Sequence, residues 1–245
     1  MEPKSVEKAS GSYVSAFDLF SKSSALVQAN LGIYSIVVGV PILLSLIRNG
    51  ILYGYGEGLK MMNGGLPFFG NGLSGAARDV TITGTAIALG LVIAVVGFIF
   101  AFMSVVLQYE VANGRKPTMS DLWEKVQKFG PRLFGLFIVV GLLVALGFVA
   151  LIVPGVILIK RYYLAPYVML DQDTSIGEAM KISSEISHPG MAIWGILGVW
   201  ILIAFTNVIP LIGWVVGLVL STLYSAAGAL RHRELKNKEH HDNLQ

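Results

Sequence analysis

Residues 153–179 read VPGVILIKRYYLAPYVMLDQDTSIGEA. A helix-breaking Pro-Gly pair opens the stretch, a short apolar run bearing the adjacent cations Lys160 and Arg161 follows, and Pro166 and an acidic exit from Asp171 close it. The run is apolar enough to lie in a bilayer, yet it is the least lipid-like of the chain's apolar runs. Charge inside hydrocarbon is costly, so a cation there implies a partner, a watery cavity or a route to the headgroups.

Five further apolar runs flank it. Together they predict six spans at about 31–52, 80–107, 133–153, 156–170, 191–209 and 211–230, most of them near the ~20 residues that cross ~30 Å of hydrocarbon. Composition agrees: of 245 residues 54% are hydrophobic and 13% charged, mean hydropathy is +0.69, and a soluble domain carries roughly one quarter charged residues. The expected fold is all-α, a polytopic integral membrane bundle forming one domain over 31–230. Cysteine is absent, which excludes a disulfide framework and a thiolate metal site.

Residues 1–30 are polar and mixed in charge, so the apolar region starts too late for a cleavable signal peptide and the first span is expected to stay on the mature protein. Within them Val14, Phe17, Phe20 and Ser24 recur at helical spacing, opposite Asp18 and Lys22, and predict a short amphipathic helix in the headgroup region. Pro41 is expected to kink the first span. The segment 53–79 holds eight glycines and reads as a flexible, partly apolar loop. Its Gly70, Gly72 and Gly75 satisfy GxGxxG, but no strand precedes them and no βαβ pattern surrounds them, so a dinucleotide site is not expected. In the basic segment 114–132, Met119, Leu122, Trp123 and Val126 predict a second interfacial helix, with Trp123 as a headgroup anchor. A third helix is expected over IGEAMKISSEI, 176–186. Pro154-Gly155 and Pro210 mark tight turns, and the charged tail 231–245 is expected to fray into solvent.

Two small-residue stripes predict close helix packing: Ala86, Gly90 and Ala94 in the second span, and Gly213, Gly217, Ser221, Ser225 and Ala229 in the sixth. Sliding the chain by 56 residues pairs Thr118 with Thr174, Lys125 with Lys181 and Pro154 with Pro210. This suggests a parallel threefold repeat of interfacial helix, span, turn and span. Six spans would put both termini on one side, together with thirteen cations from Lys4 to Lys238, against Lys60 and Arg78 on the other. The positive-inside rule makes that side cytoplasmic, at the cell membrane.

Pro154-Gly155, then Arg161-Tyr162-Tyr163-Leu164-Ala165-Pro166-Tyr167 and Asp171, with Ile176, Ala179, Lys181 and Ser183 beyond, resembles a widespread prokaryotic membrane-domain superfamily. It is similar to the membrane domain of some glycerophosphodiester phosphodiesterases and to free-standing six-helix proteins of uncharacterised function. The resemblance spans roughly 107–230 and implies a fold, not a reaction. A chain of this length leaves no room for the soluble phosphodiesterase barrel. The resemblance also singles out Arg161 as the motif position, and so as the inward-facing cation.

Nucleophilic chemistry would need a nucleophile, a base and an orienting group that converge. The histidines lie at 188, 232, 240 and 241, outside every expected span, and no GxSxG occurs. His240, His241 and Asp242 fit a solvated tail better than a metal site. No enzyme, cofactor, metal or nucleic-acid partner is expected. The expected role is lipid or solute handling through a polar site of Lys160, Arg161, Tyr162, Asn207 and Gln108, with membrane lipids, anionic ones among them, as partners. The alternative is an accessory protein that stabilises a protein partner or associates with copies of itself. For Lys160 and Arg161 the competing reading is a pair of snorkelling anchors that fix helix depth.

Overall fold

The computed structural model describes residues 14–44, 46, 73–187, 192–206 and 213–242. All regular structure among them is helical. The helices are α1 (Ala16–Ala29), α2 (Leu31–Leu44), α3 (Leu73–Ala112), α4 (Met119–Ala150), α5 (Ile152–Tyr162), α6 (Ala165–Gln172), α7 (Ile176–Ile186), α8 (Ala192–Thr206), α9 (Gly213–Leu223) and α10 (Ala227–Asp242). Two stretches, Gly90–Ala112 and Met119–Ala150, are long and apolar enough to cross a membrane, and a third joins them if the α1–α2 pair, bent by 93°, counts as one span.

Helix starts follow local side-chain chemistry. Ser15, Thr118 and Ser175 cap α1, α4 and α7, each accepting a hydrogen bond from the backbone N–H of the acidic residue three positions on: Asp18, Asp121 and Glu178. Such caps satisfy amide groups that the first turn leaves without a partner. The cap of α7 is Ser175, one residue beyond Thr174, the position that the 56-residue slide pairs with Thr118. Along α4, the buried Leu122, Val126, Phe129, Leu133 and Leu136 recur at three- and four-residue steps and form one packed stripe.

The breaks differ from expectation. The second interfacial helix and third span are one 32-residue helix, α4, which runs through Pro131. The following turn falls at Leu151, in extended conformation, and Pro154 sits in the first turn of α5, where a missing N–H costs nothing. Gly147 and Gly155 make this hairpin tight: a Cβ on Gly147 would lie 2.9 Å from the Gly155 Cα. The run expected as a fourth span is broken at Tyr163-Leu164 into α5 and α6, and the run expected as a sixth is broken at residues 224–226 into α9 and α10. The tail expected to fray is helix α10.

Other expectations shift as well. On α1 the buried face is Leu19, Ser23 and Val27, while Phe17 is 75% exposed. Packing against α8, α9 and α10 selects this face over the one that hydrophobicity marks. Helix α3 begins inside the segment read as a glycine-rich loop, whose residues 53–72 lie outside the described ones. Gly90 faces open space, so the stripe of Ala86, Gly90 and Ala94 has no close-packed partner at that position. The later stripe is divided by the break: Gly213 and Gly217 are buried in α9 with Ser221 half-buried, Ser225 lies in the turn, and Ala229 is buried in α10.

Helices α3, α6 and α10 pack pairwise on one another. Around them α4 lies on α3, α7 on α5 and α6, and α1 on α9 and α10. Val106, Leu107, Leu133, Val168 and Met169, all inaccessible to solvent, form the centre of the largest apolar cluster. Exposed apolar side chains such as Leu142, Leu146, Val149, Leu202 and Phe205 make a belt around the bundle. In water such a surface would be a liability, and in a bilayer it needs no cover.

Candidate functional site

Between α3, α4, α5, α6, α8 and the α9–α10 turn lies a cavity of about 310 Å³, at the lower end of the roughly 300–1,000 Å³ typical of small-molecule sites. Its apolar side is built by Val105, Leu136, Val140, Val144 and Ile159. Polar atoms come from Gln108, Tyr162, Tyr163, Tyr167, Trp200 and Ser225. Among the described residues that line it, none is charged. Phe137, the most exposed of them at 43%, belongs to the apolar belt, so the cavity communicates with the belt.

The breaks in α5–α6 and α9–α10 position most of the polar groups. At the first break the chain turns through Tyr163, and α6 restarts with Pro166 in its opening turn, bringing Tyr162, Tyr163, Pro166 and Tyr167 to one wall. The Tyr167 hydroxyl donates to Gln108 Oε1 at 2.7 Å, and Gln108 Nε2 donates to Ser104 Oγ at 3.1 Å. The Trp200 indole N–H donates to the Tyr163 hydroxyl at 3.2 Å. At the second break the Ser225 hydroxyl is buried without a hydrogen-bond partner among the described residues. Gly228 is required there, because a Cβ would come within 2.8 Å of the Tyr167 ring.

Of the residues singled out from sequence, Gln108 and Tyr162 meet at this cavity, whereas Lys160 and Arg161 do not. Arg161, expected to face inward, is exposed, and its Nε donates to the Ser184 hydroxyl on α7. Lys160 is half-buried, with its ammonium 5.5 Å from the centroid of the Trp194 ring on α8. The reason is helical geometry: Ile159, Tyr162, Tyr163 and Pro166 share one face, and residues 160 and 161 are rotated away from it at about 100° per residue. Asn207 lies outside the described residues. Sequence reasoning took Ser225 as a helix-packing residue and Tyr167 only as part of the family motif, and it did not single out Tyr163 on its own or Trp200 at all. Only the paired tyrosines beside a proline signalled that part of the chain.

A second polar region closes the end of the bundle away from the α4–α5 turn. Glu110, almost wholly buried, accepts from Arg115 Nη1 at 3.1 Å and from Lys125 on α4. Asp171 accepts from the Tyr109 hydroxyl at 2.9 Å and from Lys236 Nζ on α10 at 2.6 Å. Burial works against ionisation of its carboxyl, but these bonds outweigh it and hold the pKa below the usual carboxylate range. Asp173 pairs with Lys128 and Arg132 of α4, both at 2.7 Å. Hydrogen bonds from those two cations lower its pKa. The buried His232 lies 3.5 Å from Asp171 Oδ2, and burial pushes its pKa down despite that carboxylate. Arg231 is 1% exposed, pairs with Glu234, and donates to the Val14 carbonyl at 2.7 Å. Charges read from sequence as topology signals therefore also bind helix to helix.

No curated protein and no solved structure matches the chain. A family model does match, over residues 80–226, from within α3 to the α9–α10 turn. The match covers the cavity's walls and carries no link to glycerophosphodiester phosphodiesterases. Spanning more than half of the sequence, it shows that the chain belongs to an uncharacterised protein family, UPF0259.

Proposed function

We infer that this is a non-enzymatic multi-pass membrane protein that handles a lipid or lipid-like solute through the cavity beside the α5–α6 break. The observation that carries the reading is a cavity lined by hydroxyls, an amide and an indole, free of charged side chains and in communication with the apolar belt. Ligand sites combine an apolar lining with a few polar groups that fix orientation, and they favour gaps between helices of a bundle. The polar lining residues include no histidine, carboxylate or lysine that could act as a base, which supports binding over reaction.

The same reading places six spans in the cell membrane with both termini in the cytoplasm. Three capped helices that each pack on a neighbouring helical pair support the parallel threefold repeat. Lys160 and Arg161 tie α5 to α8 and α7 rather than forming an anion site, and in a bilayer their heads reach the headgroup layer.

Native mass spectrometry of the full chain in lipid nanodiscs tests the proposal. A retained lipid or solute is expected, lost when Val144→Trp fills the cavity and kept in Arg161→Gln. Loss in Arg161→Gln with the fold intact would restore the cation as the binding group. A retained protein in place of a small molecule would favour an accessory role.

A further inference from the structure

The cavity's hydrogen-bond inventory restricts what enters it. Gln108 uses its carbonyl oxygen to accept from Tyr167 and one amide hydrogen to reach Ser104, so a second amide hydrogen remains. Tyr163 already accepts from Trp200, which leaves its own hydroxyl hydrogen to give. The Tyr162 hydroxyl makes no hydrogen bond among the described residues, and the Ser225 hydroxyl, with that of Tyr34 beside it, makes none of good geometry. The Gln108 carbonyl thus already accepts one hydrogen bond, and each of the remaining polar groups has a hydrogen to give. A buried donor without a partner is unfavourable, so the bound state should bring an acceptor.

Charge points the same way. No cation among the described residues lines the cavity, and Lys160 and Arg161 are committed to Trp194 and Ser184 outside it. An anionic head would lose its hydration with no counter-charge, whereas a ketone or ester carbonyl would gain hydrogen bonds at little desolvation cost. Size limits the rest. About 310 Å³ admits a head and the first part of one chain, not a two-chain lipid, so the remaining hydrocarbon must leave past Phe137 into the belt.

We propose that the cavity binds a neutral lipid by a carbonyl head held among Tyr162, Tyr163, Gln108 and Ser225, with its tail emerging beside Phe137. The proposal rests on the cavity being a lipid site, as inferred above, and adds the charge and polarity of the head.

The test uses the full chain in phosphatidylcholine nanodiscs and two photoreactive probes of equal chain length: a palmitic acid methyl ester with a diazirine near the carboxyl end, and the corresponding free acid at a pH where it is ionised. Capture is read by peptide mapping over 133–145 and 156–168. The ester should label these segments at least about tenfold more than the carboxylate, as expected when an unpaired charge must be buried. Val144→Trp should abolish that labelling. Tyr162→Phe, which removes only a hydroxyl, should lower it several-fold with thermal stability retained. Equal capture of the carboxylate would overturn the neutral head while leaving a lipid site. Ester labelling no greater than in Val144→Trp would overturn the lipid site and the head assignment with it.

Discussion

His232 shows how one side chain couples the fold to acidity. It is buried beside Asp171 and Lys236, and burial lowers its pKa below the ordinary value, so the folded chain holds it neutral near pH 7. The unfolded chain takes up a proton near pH ~6.5. Between that value and the lower folded pKa, the unfolded state binds more protons, and stability falls as pH falls. The stabilising contribution is therefore present above about pH 6.5 and lost below it, while the lowered pKa of Asp171 adds a separate loss only below about pH 4. Melting temperature measured from about pH 7.5 to about pH 5.5 should drop in the wild type and drop less in His232→Gln. Equal slopes would show that the site does not titrate in this range. In the sequence, His232 is one of several polar residues in a charged tail, and nothing local marks it as buried. Its burial comes from α10 folding back on α3 and α6, a contact between distant parts of the chain.

At the scale of elements, the two broken helices share one repair. Ending a helix inside a bundle leaves carbonyls without partners. At the α9–α10 break the buried Ser23 of α1 donates to the Leu223 carbonyl at 2.6 Å and accepts from the Ala226 N–H at 3.1 Å. At the α5–α6 break the buried Ser183 of α7 donates to the Arg161 carbonyl at 2.9 Å. Both serines stand at the same offset from their caps, Ser15 and Ser175, and the residue at that offset from the α4 cap, Thr118, is the buried, apolar Val126. Ser23→Ala should cost about 1–3 kcal/mol by stranding buried backbone groups. Ser24→Ala, on the same helix and bonded only to the Ser21 carbonyl, should be nearly silent in thermal unfolding. This explains what was legible. Apolar runs and spacing show where helices lie, because each helix satisfies its own backbone. They do not show where a helix stops inside an apolar run, because its loose ends are met by a serine on another helix, 200 residues away at one break and 22 at the other. The cavity is built on those breaks, so Tyr162 and Gln108 could be picked out as polar residues in apolar surroundings, while Tyr167 and Trp200 looked like core.

For the whole molecule, the charged helices gather at one end and the α4–α5 turn lies at the other, and the proposed topology puts these ends on opposite sides of the membrane. In this cysteine-free chain, single cysteines at Asn237 and at the exposed Leu151 should behave oppositely. A membrane-impermeant thiol reagent applied to intact cells should label Leu151→Cys and spare Asn237→Cys. The reverse would invert the orientation, and labelling of both would break the six-span arrangement. The two ends of the described chain are also joined: the Val14 N–H donates to Glu234 Oε1 at 2.9 Å, its carbonyl receives Arg231, and α1 rests on α8, α9 and α10. A growing chain generally folds its N-terminal part first as it leaves the ribosome. Here α1 is made early, but the helices that cover Leu19 and Ser23 are made last. On the proposed membrane reading, the first amphipathic helix therefore waits at the membrane surface until synthesis is nearly finished, and a chain stalled before α10 would present that uncovered face to insertion chaperones and quality-control proteases.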